Sequence, residues 1–116
     1  MAKKVNPINI TNEKDEVVYT LEFNRDTVSR CEKAGFKIQE VDNMPMTMIP
    51  ILFHYAFRMH HPDISRAETD RILFDELGGL SPGLTNRLQE LYINPFSTLL
   101  KEDDGTPKNS KMKVLL

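Results

Sequence analysis

The chain contains no tryptophan, one cysteine and no apolar run of the roughly 20 residues that a membrane-spanning helix requires. Cys31 alone cannot form an internal disulfide, and a single thiol fits a reducing compartment. No apolar segment follows Lys3 and Lys4, so the N-terminus is not predicted to be a signal peptide. We therefore expect a protein of the cytoplasm with no membrane partner.

The chain also lacks a large excess of either positive or negative charge. The chain has 15 basic and 17 acidic residues, and its net charge is −2. Proteins that hold nucleic acid through phosphate contacts usually carry a basic excess or patch, so no nucleic-acid partner is expected. Its 116 residues, 40% apolar and 28% charged, fit one ordinary globular domain.

What the sequence does contain is one dense apolar stretch, from Met44 to His61. The pattern predicts a helix from about Met48 to His60, with Thr47 as N-cap and Pro62 ending it. At about 100° per residue, one apolar stripe runs along this helix. It consists of Ile49, Leu52, Phe53, Ala56 and Phe57. A second, adjoining stripe consists of Met48, Ile51, Tyr55 and Met59.

The second stripe has two interpretations, which the sequence leaves open. It is either part of the core, wrapped by the other elements, or a face that binds a partner. Six methionines in a chain of this length favour an adaptable apolar surface, because methionine side chains are flexible and polarizable. Beyond the proline at position 95, Phe96 and Leu99 add further apolar surface.

The remaining elements are smaller and amphipathic. Val17 to Phe23 alternates as a half-buried strand, and Val5 to Ile10 is predicted to pair with it as a hairpin. Three further helices are predicted, with starts at Asn24 (or Asp26), Ser65 and Ser81-Pro82, and a break at Asn94-Pro95. The predicted fold class is mostly α (α+β), a small N-terminal β-hairpin followed by about four helices around the central apolar helix. The sequence predicts a single domain over residues 1–100 and a flexible C-terminal tail over residues 101–116.

No catalytic arrangement of nucleophile, base and orienting group is recognisable, so we expect no enzyme and no cofactor. The only cluster of metal-ligand types is His54, His60 and His61 with Asp63, and its poor convergence predicts helix-end residues and no metal site. Cys31, at helical spacing from Val28, is predicted to be a small core hydrophobe.

Several short motifs together resemble a known family. They are Tyr19-Thr-Leu-Glu-Phe-Asn-Arg-Asp-Thr-Val28, Glu32-Lys-Ala-Gly-Phe36, Met46-Thr-Met-Ile-Pro50, Leu52-Phe53, Ala56-Phe57, His60-His-Pro62, Leu77-Gly-Gly-Leu-Ser-Pro82 and Leu88-Gln-Glu-Leu-Tyr92. Over residues 17–100 the chain is similar to the tail assembly chaperones of long-tailed phages and prophages of Gram-positive bacteria. Residues 1–16 and the Asn94-Pro95 break do not match that pattern.

The resemblance implies a non-catalytic protein of the host bacterial cytoplasm that binds and solubilises the phage tape measure protein and helps tail tube polymerisation. It also implies a tail tube partner, reached through a frameshift-extended form. We further expect copies of the chain to repeat along the client as a homo-oligomer. The residues expected to bind the client are Met48, Ile51, Tyr55, Met59, Phe96 and Leu99. Two alternatives are kept, a structural virion component such as a head–tail connector protein and, with less support, a small DNA-binding regulator built on the helix–Gly-Gly–helix segment.

Overall fold

The structure, a computed structural model, describes residues 5–98 and begins with a β-hairpin. Strand β1 spans Ile8–Thr11 and pairs antiparallel with strand β2, which spans Val17–Leu21. In the turn between them, the side-chain oxygen of Asn12 accepts from the backbone N–H groups of Lys14 and Glu16, at 2.9 and 3.1 Å. Such Asx-type bonds replace the ladder bonds that a tight turn cannot make. The predicted hairpin is confirmed.

Helix α1 spans Arg25–Lys33, and its N-cap is Asn24, as the sequence predicted. Asn24 Oδ1 accepts from the Thr27 backbone N–H at 2.8 Å, and Thr27 Oγ1 accepts from the Asn24 N–H at 2.9 Å. This reciprocal pair satisfies two N–H groups that the helix itself cannot. Gly35 follows the helix with a φ of +104°, a conformation that costs glycine little.

Helix α2 is the central element, but it spans Pro45–Arg58 and therefore starts before the predicted position. Pro45 occupies the first helical turn, where its missing N–H would have had no acceptor in any case. The N-cap residue is Met44, which makes no side-chain cap, so the predicted N-cap role of Thr47 is wrong. Proline at a first helical position proved a stronger start signal than a hydroxyl two residues later.

The C-terminal part of α2 holds the hairpin in place. The backbone N–H of Glu22 donates to the Ala56 carbonyl oxygen at 2.9 Å. The Thr20 N–H donates to His61 Nε2 at 3.1 Å, and His60 Nε2 lies 2.8 Å from the Glu22 carboxylate. Polar groups of Thr20 in β2 and of Glu22 just after it therefore find partners on α2 and in the turn that follows α2.

Helix α3 spans Arg66–Arg71, and Ser65 Oγ caps it by accepting from the Glu68 N–H at 3.0 Å. The chain then widens into a π-helical segment, Ile72–Glu76, where the Leu77 N–H donates to the Ile72 carbonyl. Gly78 and Gly79 follow, both with positive φ. The predicted helix is thus present, with a π segment that the sequence pattern did not indicate.

Helix α4 spans Pro82–Ile93, with Pro82 in the first turn and Ser81 Oγ accepting from the Leu84 N–H at 3.1 Å. A 3₁₀ helix, Asn94–Thr98, continues it, as the Asn94-Pro95 break predicted. A second short 3₁₀ helix, Ile38–Glu40, joins α1 to α2.

The core surrounds α2, which contacts β2, α1, α3 and α4. Its fully buried side chains include Leu21, Cys31, Leu52, Phe53, Ala56, Phe57 and Leu88. The predicted class, a small N-terminal hairpin followed by four helices around a central apolar one, is confirmed. No helix within residues 5–98 has the length and apolar character needed to cross a membrane.

Candidate functional site

The structure describes five of the six residues expected to bind a client, and it separates them. Met48 and Ile51 lie in the core, with 5% and 7% of their surface exposed. The Met48 sulfur also accepts from the Lys37 backbone N–H at 3.3 Å. For these two residues the fold supports the core interpretation that the sequence left open, and neither offers much surface to a partner.

Tyr55, near the C-terminal end of α2, and Met59, directly after its last residue, are half-buried. The Tyr55 ring packs edge-on against the His54 imidazole, with centroids 4.8 Å apart. It also lines a pocket of about 320 Å³ between α1 and α2, together with Arg30, Lys33, Ala34 and Arg58. Tyr55 is thus a predicted residue that does reach an open concave surface, although its neighbours there are charged.

Phe96 is half-buried in the last 3₁₀ helix and packs against Tyr92, with ring centroids 5.6 Å apart. It lines a separate pocket of about 200 Å³, whose α1 wall includes Val28. Helix α1 separates this pocket from the one beside Tyr55, so the two residues do not share a surface. Leu99 and the predicted tail, residues 101–116, lie outside the described residues.

A third concave surface was missed by the sequence reasoning. It lies between the N-terminal ends of α2 and α4, has a volume of about 330 Å³, and is called here the N-terminal groove. Its lining consists of Val41, Asp42, Pro45, Ile49, Leu80, Pro82, Thr85, Asn86 and Gln89. The walls are mainly apolar on the α2 side and polar along α4.

Two methionines stand beside the N-terminal groove in the chain. Met44 and Met46 flank Pro45, which lines the groove, and they are 46% and 78% exposed. Exposed methionines next to an apolar groove are typical of surfaces that accommodate more than one helix. The signal was present in the sequence, but a helix start placed at Met48 assigned these residues to a loop.

One buried polar contact links α2 to α3. His54 Nδ1 lies 3.0 Å from Thr69 Oγ1, and both side chains are buried. The Thr69 hydroxyl donates its only proton to the Arg66 carbonyl, so it accepts from His54, whose proton is therefore on Nδ1. Burial and the nearby Arg58 guanidinium lower the pKa of His54. The neutral imidazole thus has a structural role in tying two helices together.

Residues 5–98 contain neither a cluster of metal ligands nor an exposed thiol. Within residues 5–98 no three His, Cys, Asp or Glu side chains are placed to hold a metal ion. Burial, with a smaller effect of Glu32, raises the pKa of the Cys31 thiol to about 12. A thiol of that pKa is a poor nucleophile at neutral pH. The prediction that Cys31 is a core hydrophobe is confirmed.

The segment that prompted the DNA-binding alternative has little free positive charge. Arg87 on α4 donates to the Asn6 carbonyl oxygen at 2.7 Å. On α3 and the π segment, Arg71 pairs with both Glu68 and Glu76, and Arg66 pairs with Asp70. Guanidinium groups that already have partners are less available for phosphate contacts.

Comparison with known proteins gives one family. Residues 1–116 match the model of a family described as a domain of unknown function, DUF5055. No curated protein and no solved structure matches the chain. The chain belongs to the DUF5055 family.

Proposed function

We propose that this member of the DUF5055 family is a non-catalytic tail assembly chaperone. It binds and solubilises the tape measure protein of a long-tailed phage or prophage and helps tail tube subunits polymerise around it. A frameshift-extended form of the chain recruits the tail tube protein. The motif resemblance over residues 17–100 supports this proposal, and the shape and composition of the N-terminal groove support it independently.

The observation that carries the proposal is the exposure of Met46, which is adjacent in the chain to Pro45 in the groove lining. Its side chain is 78% exposed, although it belongs to the most apolar helix of the chain. Exposed apolar side chains around a concave surface commonly mark protein-binding sites. A flexible thioether loses little by adapting to different apolar partners, as a client with many similar helical segments would require.

The groove fits an amphipathic helix better than a small substrate. Ile49, Leu80 and Pro45 provide an apolar floor, and Asn86 and Gln89 lie along the α4 side. A helix laid in such a groove buries its apolar face on the floor and leaves its polar face toward the rim. The tape measure protein, a long and largely helical client, offers many such faces.

The test is co-expression with the tape measure protein encoded nearby. Size-exclusion chromatography with light scattering should show a soluble complex, and the tape measure protein should be insoluble when expressed alone. The variant Met46→Glu should abolish co-elution and leave the thermal unfolding midpoint of the free protein unchanged, because the side chain is exposed. The matched control is Val18→Glu, on β2, where an apolar side chain is also exposed; it should still co-elute.

Purified phage particles distinguish this proposal from the virion-component alternative. A chaperone acts during assembly and should be absent from finished particles by mass spectrometry. A head–tail connector would instead be present in fixed stoichiometry. Co-elution that survives Met46→Glu would show that the client binds elsewhere, and detection of the protein in particles would overturn the chaperone role.

A further inference from the structure

The pocket beside Tyr55 is strongly positive. Arg30, Lys33 and Ala34 form its α1 wall, and Tyr55 and Arg58 form its α2 wall. The lining thus has three cationic side chains and no acidic one, although the net charge of the whole chain is −2. Charge of one sign in a concave surface attracts groups of the opposite sign. We call this surface the basic pocket.

Two of the three cations have no counter-ion in the described part of the chain. Arg30 Nε donates to Asp26 at 2.8 Å, which partly neutralises it. Neither Lys33 nor Arg58 forms an ion pair with any residue between positions 5 and 98. Arg58 Nε is moreover shielded from solvent and finds no acceptor among those residues.

The other guanidinium nitrogens of Arg58 are not enclosed and form no hydrogen bond within residues 5–98, so they can donate to an incoming oxyanion. A carboxylate suits this position because the planar guanidinium can bind its two oxygens side by side. The Tyr55 ring and Ala34 give the pocket an uncharged wall against which the aliphatic part of an acidic side chain packs. The basic pocket is therefore built for a carboxylate carried by a larger molecule.

The chain itself presents such carboxylates on another surface. The hairpin turn contains Glu13, Asp15 and Glu16 with Lys14 as its one cation, and all four are exposed. Glu16 accepts from Asn12 at 3.3 Å, whereas Glu13 and Asp15 form no ion pair within the described residues. None of the turn residues lines the basic pocket of its own chain. The two surfaces are complementary in charge and available at the same time.

We propose that the basic pocket binds the acidic hairpin turn of a second copy of this chain. The contact is head-to-tail, because pocket and turn are different surfaces. Each copy then uses its pocket for one neighbour and its turn for another, so the contact repeats into a filament unless the rotation closes a ring. The proposal does not depend on the client or on the N-terminal groove.

Charge reversal tests the contact by sedimentation velocity over a range of protein concentrations at low and moderate salt. The wild type should associate with rising concentration, and added salt should weaken the association. Lys33→Glu, at an exposed pocket residue, should lower the association constant at least about tenfold, and so should Arg58→Gln. Glu13→Lys combined with Asp15→Asn should do the same from the turn; asparagine is chosen because position 15 has a φ of +61°.

The decisive sample is a mixture of Lys33→Glu with the turn variant. Each variant fails alone, but in the mixture the acidic turn of Lys33→Glu meets the intact basic pocket of the turn variant. The other pairing stays unfavourable, because Arg30 and Arg58 keep the Lys33→Glu pocket positive, so the mixture should form heterodimers that neither variant forms alone. Asp75→Lys, an exposed acid in the π segment, is the matched control and should associate like the wild type.

Three results would overturn the proposal. One is a wild type that stays monomeric at every concentration. Another is a lack of specificity, in which a pocket variant associates like the wild type or the control Asp75→Lys loses as much association as the pocket variants. The third is inorganic phosphate producing Arg58-dependent NMR shifts without any self-association, which would assign the pocket to a free anion. Thermal unfolding of each variant shows whether it is folded. If Arg58→Gln does not fold, Lys33→Glu still tests the pocket.

Discussion

The backbone N–H of Thr20 donates to Nε2 of His61 at 3.1 Å, and through this bond β2 is held to the turn that follows α2. Because Nε2 accepts, the imidazole must be neutral with its proton on Nδ1. Burial, with a smaller effect of His60, lowers the pKa of His61 below its usual value of 6.5. The bond therefore depends on pH.

We predict that acid weakens the attachment of the hairpin. A group whose pKa is lower in the folded protein contributes stability above its unfolded pKa and loses that contribution as the pH falls through the folded pKa. Loss of this bond between pH 7.5 and pH 5 should lower the free energy of unfolding by on the order of 1 kcal/mol. Urea unfolding at the two pH values measures it. The difference should shrink in His61→Gln, which keeps an acceptor that does not titrate, and an equal pH dependence in that variant would contradict the assignment.

The His54–Thr69 pair predicts an asymmetry between two substitutions. In Thr69→Val the His54 Nδ1–H loses its acceptor in a buried position, at a cost of about 1–3 kcal/mol. In His54→Leu the Thr69 hydroxyl still donates to the Arg66 carbonyl, so less is lost. Chemical denaturation should rank Thr69→Val as the less stable variant. The reverse order would mean that the ring packing of His54 matters more than its hydrogen bond.

Two glycines should respond in opposite directions to alanine. Gly79 has a φ of +101°, where a Cβ is strained, so Gly79→Ala should destabilise the protein by about 1 kcal/mol. Gly83 lies inside α4, and a Cβ there would meet only Ser81 Oγ, at 4.0 Å. Gly83→Ala should stabilise by about 0.5–1 kcal/mol, because alanine restricts the unfolded chain and favours the helix. Thermal unfolding of both variants checks the pair.

The Cys31 thiol should be protected until the core opens. It has no exposed surface, and burial raises its pKa to about 12, so both access and thiolate population are low. Alkylation followed by mass spectrometry in increasing urea should therefore track global unfolding measured by circular dichroism. Rapid labelling in native buffer would instead show that α1 detaches locally.

The sequence predicted those helices whose starts are set by a capping side chain or a proline. Asn24, Ser81 and Pro82 act through bonds and torsions within a few residues, so their roles in starting helices could be inferred from the chain alone. The start of α2 was wrong because two signals competed, Pro45 and Thr47, and local pattern does not rank them.

The candidate surfaces were less predictable for a different reason. Met48 and Tyr55 fall on one stripe of α2. The segment at Lys37 covers Met48, whereas Tyr55 lines the basic pocket. Which part of an apolar stripe stays open depends on what packs over it from elsewhere in the chain. The N-terminal groove and the basic pocket are both formed between helices, and periodicity along one helix contains no information about them.

Pro50, inside α2, has no N–H to donate to the Met46 carbonyl, so the helix lacks one hydrogen bond between its first turn and its body. The body of α2 packs among buried aromatic rings, whereas its first turn and its N-cap include the exposed residues Met46 and Met44. The first turn is therefore joined to the rest of α2 by one hydrogen bond fewer than an uninterrupted helix would have. Its amides should exchange with deuterium well before those of Phe53 to Phe57.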